Sequence, residues 1–356
     1  MSWRDKVRPY LLSVPSYEGV TPPEAMKEPG REIIKLDGNE NLYGCSPHVR
    51  EALSQYSMYH LYSDPEQRDL RQSLAAYTGV GEAHILAGNG SDELIDLILR
   101  VFLEPGDKVL NLVPTFGMYS FSTRICAGEV VDVEREADFS LNVPRVKKAL
   151  TSRTKVIFIA SPNNPTGNLT AREDIEEIAK TGIIVVVDEA YFEFCDVTAL
   201  PLMRKYDNVL VLRTFSKWTG LAGLRLGYGI FPAEMAGFLR QVKPPYNINR
   251  AAQVAAIASL NDLPYLQSKV KAIIKERERL FGLLQEVGWL EPYPSQANFI
   301  LARVLRGQAA EVHQALKQRG IFIRYYNTPR LKDYLRFSIG LPQHSDALIE
   351  ALKQIS

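Results

Sequence analysis

The residues around Lys217 have the types and spacing of a site that binds a phosphate group. An apolar run at residues 209–212 precedes the lysine and is typical of a buried strand, so Lys217 lies in the loop at the carboxyl end of that strand. Thr214 and Ser216 place hydroxyl groups beside it, and Arg225 follows eight positions later. Hydroxyl and guanidinium groups are suitable ligands for a phosphate monoester. Most lysines are solvated surface residues, but a lysine beside a phosphate site can act as a nucleophile.

A second phosphate-binding signal comes from the glycine-rich turn at residues 88–90. The turn leads into a helical pattern, for which we predict Ser91 as the N-cap with Asp92 and Glu93 in the first turn. The free N–H groups at such a helix start bind phosphate. Capped helices after glycine turns are common, so the turn alone is a weak signal. Together with Lys217 it suggests a Schiff-base lysine that holds pyridoxal phosphate.

Chemically useful side chains follow four predicted strands of this region. Phe116 follows the strand at 108–113, Asn164 the strand at 155–160, and Asp188 ends the strand at 183–187, with Tyr191 three positions later. Strand, loop and helix alternate here, which predicts a mainly parallel sheet with right-handed crossovers. The carboxyl ends of such strands share one edge, where ligands bind. We therefore expect these side chains and Lys217 to meet at one site.

Single residues of this group also allow other interpretations. Phe116 could be an ordinary core aromatic residue. Asp188, at the end of a buried strand, could be the metal-binding carboxylate of a P-loop NTPase, but that class needs a Gly-Lys dipeptide, and the chain contains none. The convergence of several weak signals on one sheet edge favours the cofactor site.

Composition limits the other classes of function. The chain has 356 residues, 46% of them hydrophobic, and a formal net charge of +1, which is typical of a globular protein and offers no basic surface for nucleic acid. No apolar stretch approaches the length of about 20 residues that spans a membrane, and the first residues lack the pattern of a signal peptide. The sparse cysteines (Cys45, Cys126, Cys195) show no metal-ligand spacing, and their odd count fits a reducing cytoplasm.

The chain is long enough for two domains. Residues 1–30 are rich in proline and predict an extended arm that needs another surface, such as a second subunit, to be ordered. Residues 45–243 carry the strand–helix alternation of the large domain. Residues 31–44, with a strand predicted at Glu32–Leu36, and residues 244–356, with mixed strands and helices, are predicted to form a smaller α+β domain.

Several motifs together resemble one known family. They are Asp37-Gly38-Asn39-Glu40-Asn41, Gly90-Ser91-Asp92-Glu93, Pro114-Thr115-Phe116-Gly117-Met118-Tyr119-Ser120, Ser161-Pro162-Asn163-Asn164-Pro165-Thr166-Gly167, Asp188-Glu189-Ala190-Tyr191, Thr214-Phe215-Ser216-Lys217, Leu221-Ala222-Gly223-Leu224-Arg225, Gly320-Ile321-Phe322-Ile323-Arg324 and Leu335-Arg336-Phe337-Ser338-Ile339-Gly340. The chain resembles the fold-type I, pyridoxal-phosphate-dependent aminotransferases, and within that class the histidinol-phosphate aminotransferases. The family often has tyrosine where Phe116 stands; phenylalanine can stack on the cofactor but cannot donate a hydrogen bond.

The resemblance implies a role for each cofactor-binding residue. Lys217 binds the cofactor covalently and transfers protons, Asp188 pairs with the ring nitrogen, Asn164 and Tyr191 bind the ring oxygen, and Phe116 stacks on the ring. The phosphate is bound by the residues Ser91, Asp92, Thr214, Ser216 and Arg225. Tyr62 reaches the phosphate in a neighbouring subunit, which implies a homodimer.

The resemblance also implies the substrates. Arg336 and Arg324 bind the anionic group of histidinol phosphate, and Tyr17, Asn39 and Asn41 are further candidate substrate contacts. Glutamate and 2-oxoglutarate complete the reaction, which belongs to histidine biosynthesis in the cytoplasm.

Three rival functions fit parts of the same pattern. An aromatic amino acid aminotransferase could use the same arginines for a carboxylate. A threonine-phosphate decarboxylase, a lyase on a similar scaffold, would release CO2 and need no 2-oxoglutarate. A regulator built on this fold would need a DNA-binding domain, and only about 30 residues precede the core.

Overall fold

The computed structural model describes residues 2–17, 19–22 and 33–355. The strands are β1 (Ile34–Leu36), β2 (Ile85–Gly88), β3 (Lys108–Val113), β4 (Glu129–Glu134), β5 (Thr154–Ala160), β6 (Ile184–Asp188), β7 (Val209–Thr214), β8 (Gly227–Ile230), β9 (Leu290–Pro292), β10 (Phe299–Val304), β11 (Ile321–Tyr325) and β12 (Tyr334–Ser338). The α-helices are α1 (Pro47–Gln55), α2 (Arg68–Thr78), α3 (Ser91–Phe102), α4 (Met118–Ile125), α5 (Val143–Ala149), α6 (Arg172–Ala179), α7 (Leu200–Met203), α8 (Ala233–Val242), α9 (Arg250–Leu260), α10 (Leu263–Glu286), α11 (Ala309–Gln318) and α12 (Pro342–Lys353). Within the described ranges, no helix has the length and apolar character to cross a membrane.

The larger sheet positions the predicted site. Among the described residues it has seven strands in the order β2-β8-β7-β6-β5-β3-β4, and β4, β3, β5, β6 and β7 run parallel to one another. Strand β8 runs antiparallel to both of its neighbours, β7 and β2. The fold class predicted from the sequence, an α/β fold with a mainly parallel sheet, is confirmed. The carboxyl ends of β3, β5, β6 and β7 therefore lie along one edge.

Both faces of the larger sheet are buried, which explains its continuous apolar strands. Along β6 and β7, Val185 and Val209 belong to one hydrophobic core, and their chain neighbours Val186 and Leu210 belong to another on the opposite face. Polar groups are buried where the strands end, as at Asp188. Buried polar groups need hydrogen-bond partners, which makes Asp188 a candidate site residue.

The smaller sheet joins distant parts of the chain. In the described residues its order is β1-β11-β12-β10-β9, and β1 pairs in parallel with β11, so Ile34 lies opposite Ile321. Helix α9, beyond the predicted domain boundary at residue 243, packs against α1 and α2. The exact domain boundaries stay predictions.

Several local predictions differ from the structure. Gly90, with φ of 76°, is the N-cap of α3, and Ser91 is the first helical residue, because the chain makes its turn in the left-handed region that glycine favours. Helix α2 begins at Arg68, because the preceding residue, Gln67, has φ of 55°, which is outside the helical region. Strand β1 begins at Ile34, and the predicted strand start at Glu32 lies outside the described residues.

Strand β8 lies where the sequence pattern does not predict a strand. Strand β8 has glycine at alternate positions, 227 and 229, so its strand propensity is low and only its pairing with β7 and β2 defines it. The predicted extended arm contains two 3₁₀ turns, Trp3–Lys6 and Pro9–Ser13.

Candidate active site

The predicted phosphate ligands come together beside the start of α3. Thr214 Oγ1 lies 3.0 Å from Ser216 Oγ, and Arg225 Nη1 donates to the same Ser216 oxygen at 3.3 Å. The second guanidinium nitrogen of Arg225 donates to Asp92 Oδ2 at 3.0 Å. The loops after β7 and before α3 thus place two hydroxyl groups and a guanidinium group around the helix N-terminus, an arrangement that suits a phosphate.

Two glycines allow the backbone to approach closely at this point. A Cβ atom on Gly227 would lie 2.3 Å from the backbone nitrogen of Ser91, and one on Gly90 would lie 2.6 Å from an Arg225 nitrogen. Neither position tolerates a side chain without displacement. The close approach holds β8, Arg225 and the start of α3 together.

Lys217 lies at the same edge, half-buried, at the end of β7. Its Nζ donates to the carbonyl oxygen of Gly38 at 3.0 Å. Burial, with the positive charges of Arg336 and Arg225, lowers the pKa of Lys217 to about 8. A lysine with such a lowered pKa is partly neutral near physiological pH, which is the state that a nucleophile or general base requires.

Asp188, at the end of β6, is held by two donors. Tyr119 Oη donates to Asp188 Oδ2 at 2.7 Å, and the N–H of Ala190 donates to Oδ1 at 3.1 Å. Burial raises the pKa of Asp188 to about 6, and these two hydrogen bonds oppose that rise. The Tyr119 ring is fully buried and stacks on Phe158 with a centroid distance of 4.6 Å. Sequence reasoning did not assign Tyr119 a role, although it lies in a quoted motif three residues after Phe116.

Asn164 and Tyr191 connect the larger sheet to the smaller one. Arg336 Nη1 donates to Asn164 Oδ1 at 2.6 Å. Asn39 Nδ2 donates to Tyr191 Oη at 2.9 Å, and Ser338 Oγ donates to Asn39 Oδ1 at 2.7 Å. Burial raises the pKa of Tyr191 above its ordinary range, so its phenol stays protonated. Residues from β12 and from the turn after β1 therefore support the groups at the ends of β5 and β6.

Arg336 is a buried charged residue of the site. It is 5% exposed, and its Nη2 donates to the carbonyl oxygen of Asp37 at 2.6 Å. Its buried Nε has no hydrogen-bond partner in the described structure. Arg324 is more exposed and donates to the carbonyl oxygen of Gly19 at 2.8 Å.

The remaining predicted contacts lie at different depths. Phe116 is half-buried, and its ring is 6.4 Å from that of Tyr17, which is 43% exposed. Asn41 is buried and bonds to the Trp218 carbonyl oxygen and the Tyr43 N–H, so both ends of its amide contact protein. Tyr62 is 83% exposed and lies outside this cluster, with its ring stacked on Tyr246. The roles of these residues stay predictions.

Sequence reasoning also missed the backbone groups of the turn after β1. The adjacent carbonyl oxygens of Asp37 and Gly38 accept hydrogen bonds from Arg336 and Lys217, respectively. Both residues lie in the motif at residues 37–41. Every residue type has a backbone carbonyl oxygen, however, so the sequence cannot show which of them accept these hydrogen bonds.

Comparison with known proteins identifies the family. The family model described as "Aminotransferase class I and II" matches residues 31–353. A histidinol-phosphate aminotransferase of Dehalococcoides mccartyi is 48% identical over 349 residues, covering 98% of this chain and 97% of the relative. A chloroplastic histidinol-phosphate aminotransferase of Arabidopsis thaliana is 45% identical over 355 residues, covering 98% of this chain and 85% of the relative.

A solved structure agrees with the sequence comparison. The crystal structure of histidinol-phosphate aminotransferase from Sinorhizobium meliloti in complex with pyridoxal-5'-phosphate matches with a TM-score of 0.89 and 28% identity, covering 98% of this chain and 97% of that one. The match extends over both sheets. This chain therefore belongs to the class I and II aminotransferases, and among them to the histidinol-phosphate aminotransferase family.

Proposed function

We propose that the chain transfers an amino group between histidinol phosphate and 2-oxoglutarate, with pyridoxal phosphate as cofactor, in histidine biosynthesis. One observation supports this most directly. Lys217 Nζ and Arg336 Nη2 donate to the adjacent carbonyl oxygens of Gly38 and Asp37, so a reactive amine and an anion-binding guanidinium group lie close together. A substrate bound there by its anionic end has its amino group near the lysine.

The residues present fit the cofactor. The hydroxyl groups of Thr214 and Ser216, the guanidinium group of Arg225 and the N-terminus of α3 would hold its phosphate. Phe116 would cover one face of its ring. Asn164 accepts from Arg336 through Oδ1, so its Nδ2 group would donate to the ring oxygen, as would the Tyr191 phenol. When bound, pyridoxal phosphate supplies an electron-withdrawing ring that stabilises negative charge on the substrate α-carbon.

Each polar residue then has a distinct task in proton transfer. Lys217, partly neutral because its pKa is lowered to about 8, removes and returns the proton at the substrate α-carbon. Asp188 would carry the negative charge that keeps a proton on the nitrogen of the bound ring. Tyr119 and the Ala190 N–H keep Asp188 ionised and oriented despite its burial.

We expect Tyr119→Phe to impair the enzyme by weakening Asp188. The substitution keeps the ring stack on Phe158 but removes a hydrogen bond to the carboxylate, which is worth about 1.5–3 kcal/mol when the acceptor is charged. Because that bond lowers the pKa of Asp188, its loss raises this pKa, and the acidic limb of the kcat/KM profile moves to higher pH by about one pH unit. The pH dependence of kcat/KM measures the effect.

Tyr77→Phe is the matched control for this prediction. Tyr77 also donates to a carboxylate, Glu193, at 3.1 Å, and stacks on Trp218, but it does not contact Asp188. An unchanged acidic limb in Tyr119→Phe, or an equal shift in Tyr77→Phe, would show that Tyr119 does not tune Asp188.

The substrate anion would be bound by Arg336 and Arg324, which come from neighbouring strands. Two guanidinium groups are better matched to a phosphate dianion than to a single carboxylate group. Tyr17, Asn39 and Asn41 remain further candidates for substrate contact. Of these, Tyr17 is the most exposed to an incoming ligand.

We also propose a homodimer in which Tyr62 reaches the partner's site. Exposed apolar side chains cluster at residues 58–62, with Met58 49%, Tyr59 52% and Leu61 55% exposed. Patches of this kind commonly mark protein contacts. Sedimentation of the purified chain tests the proposal, and a monomer at micromolar concentration would contradict it.

The amino donor and the location of the enzyme are proposed as well. Glutamate would be the donor, with its carboxylates at the same arginines, and the enzyme would work in the cytoplasm. Fractionation of the native host tests the location; recovery of the protein in a membrane or secreted fraction would contradict it.

A single half-reaction tests the proposed function. The purified protein, loaded with cofactor, is mixed with histidinol phosphate without any keto acid, and the visible spectrum is followed. Conversion of the cofactor from its aldehyde form to its amine form at low substrate concentration is the expected result. A response to phenylalanine alone would indicate an aromatic aminotransferase, and release of CO2 from threonine phosphate would indicate a lyase.

A further inference from the structure

Two arginines at the substrate end of the site face each other across adjacent strands. Arg324 of β11 and Arg336 of β12 are directly opposite partners in the antiparallel pair. Like charges in this position repel and destabilise a sheet. Arg336 forms no ion pair with a carboxylate in the described part of the chain, and its buried Nε lacks a hydrogen-bond partner there. An anion bound by both guanidinium groups would reduce the repulsion between them.

One aromatic ring lies against both guanidinium groups. The centroid of Tyr326, the residue directly after β11, is 5.5 Å from the Arg324 Cζ and 5.9 Å from the Arg336 Cζ. Arg336 also lies 5.3 Å from the ring centroid of Phe299. The face of an aromatic ring attracts cations within about 6 Å of its centroid. The Tyr326 ring therefore offsets part of the repulsion and keeps the two arginines close together.

Tyr326 also borders the space that the substrate would enter. It is half-buried, and its ring lies against Arg336, whose Nη1 donates to Asn164 Oδ1 beyond the end of β5. Arg324, which also lies against this ring, donates to the carbonyl oxygen of Gly19, close in sequence to Tyr17. Tyr326 thus lies at the substrate end of the site, opposite the end that would hold the cofactor phosphate.

We infer that Tyr326 is a specificity-determining positioning residue, whose ring holds Arg324 and Arg336 at the spacing needed to bind one phosphate monoester dianion. This inference rests on the proposed function. A single phosphate needs both guanidinium groups to converge on one group of oxygens. Glutamate carries two separate carboxylates, each of which can be bound by one arginine, so its binding tolerates a wider spacing. Loss of the ring therefore affects histidinol phosphate more than glutamate.

The test measures the two half-reactions separately in Tyr326→Leu and Tyr326→Phe. In Tyr326→Leu, we expect the half-saturating concentration of histidinol phosphate to rise about tenfold, with the limiting rate largely unchanged. The corresponding value for glutamate should change by less than about threefold. Tyr326→Phe keeps the ring and should stay within about twofold of the wild type for both substrates. Tyr326→Met repeats the experiment if the leucine variant is unstable.

Tyr325→Leu is the matched control, because Tyr325 is the adjacent tyrosine but its ring stacks on His313 instead of the arginines. Equal losses for both substrates, equal losses in Tyr326→Leu and Tyr325→Leu, or a loss in Tyr326→Phe as large as in Tyr326→Leu would overturn the inference. Failure of the proposed function is a different outcome: the wild-type protein itself would not react with histidinol phosphate.

Discussion

Replacing Lys217 with alanine should lower the rate of transamination by about ten-thousandfold or more. The substitution removes the covalent link to the cofactor and also the group that transfers the proton at the substrate α-carbon, and general acid–base catalysis alone contributes about a hundred- to ten-thousandfold. The phosphate ligands are untouched, so Lys217→Ala should still bind pyridoxal phosphate, but reversibly. Single-turnover kinetics together with dialysis of the loaded protein measure both effects.

A second buried lysine provides the control for Lys217→Ala. The Lys243 Nζ also donates to backbone carbonyl oxygens, including that of Pro65 at 2.9 Å, and burial lowers its pKa, but it does not contact the site. Lys243→Met should retain covalent cofactor and turnover, whatever its effect on stability. Transamination at a wild-type rate in Lys217→Ala would exclude this lysine as the catalytic residue and remove the basis of the proposed mechanism.

Replacing Arg336 with alanine should lower kcat/KM by about a hundred- to a thousandfold while the protein still binds its cofactor. Each hydrogen bond between a guanidinium group and an anionic substrate contributes about 1.5–3 kcal/mol, and every 1.4 kcal/mol corresponds to a tenfold change. The effect should appear for both histidinol phosphate and glutamate, because both would use this residue. Half-reaction kinetics measure kcat/KM, and the visible spectrum of the loaded protein reports cofactor binding.

Arg330→Ala is the matched control for Arg336→Ala. The Arg330 Nη2 donates to the carbonyl oxygen of Glu136 at 2.6 Å, and its guanidinium group lies over Phe139, away from Asn164 and Asp37. The Arg330→Ala substitution should change kcat/KM by less than about threefold relative to the wild type. The opposite result would be that Arg336→Ala loses its cofactor and has normal kinetics once the cofactor is restored. In that case Arg336 would help to bind the cofactor, by orienting Asn164, and would not bind the substrate.

The strand ends illustrate how much the sequence alone could predict. Apolar runs followed by loops identified β3, β5, β6 and β7, and the alternation with helices implied parallel pairing. Phe116, Asn164, Asp188 and Lys217 could thus be assigned to one sheet edge without any knowledge of distances. These predictions succeed because burial on both faces of a parallel sheet imposes a pattern that can be recognised within a few residues.

A buried ion pair behind this edge shows where the same reasoning stops. Arg213 and Glu189 are 2% and 1% exposed, and Arg213 Nη2 lies 2.8 Å from Glu189 Oε2. Arg213 and Glu189 directly adjoin Thr214 and Asp188 in the sequence, and their types would suit an active site. Glu189 also accepts from the N–H of Ala199, and Arg213 donates to Thr198 and lies over the Phe192 ring, so the pair joins the ends of β6 and β7 to the segment at 192–199.

The sequence by itself determined the fold class, the family and the set of candidate residues, because each of these depends on local periodicity or on motifs of a few residues. Only the tertiary structure decided which groups touch. It placed Tyr119 on Asp188, brought Arg336 to Asn164 across 172 positions of sequence, and set Tyr326 against two arginines on paired strands. The physical reason is that these contacts depend on strand register and on the packing of two sheets, which no local pattern records.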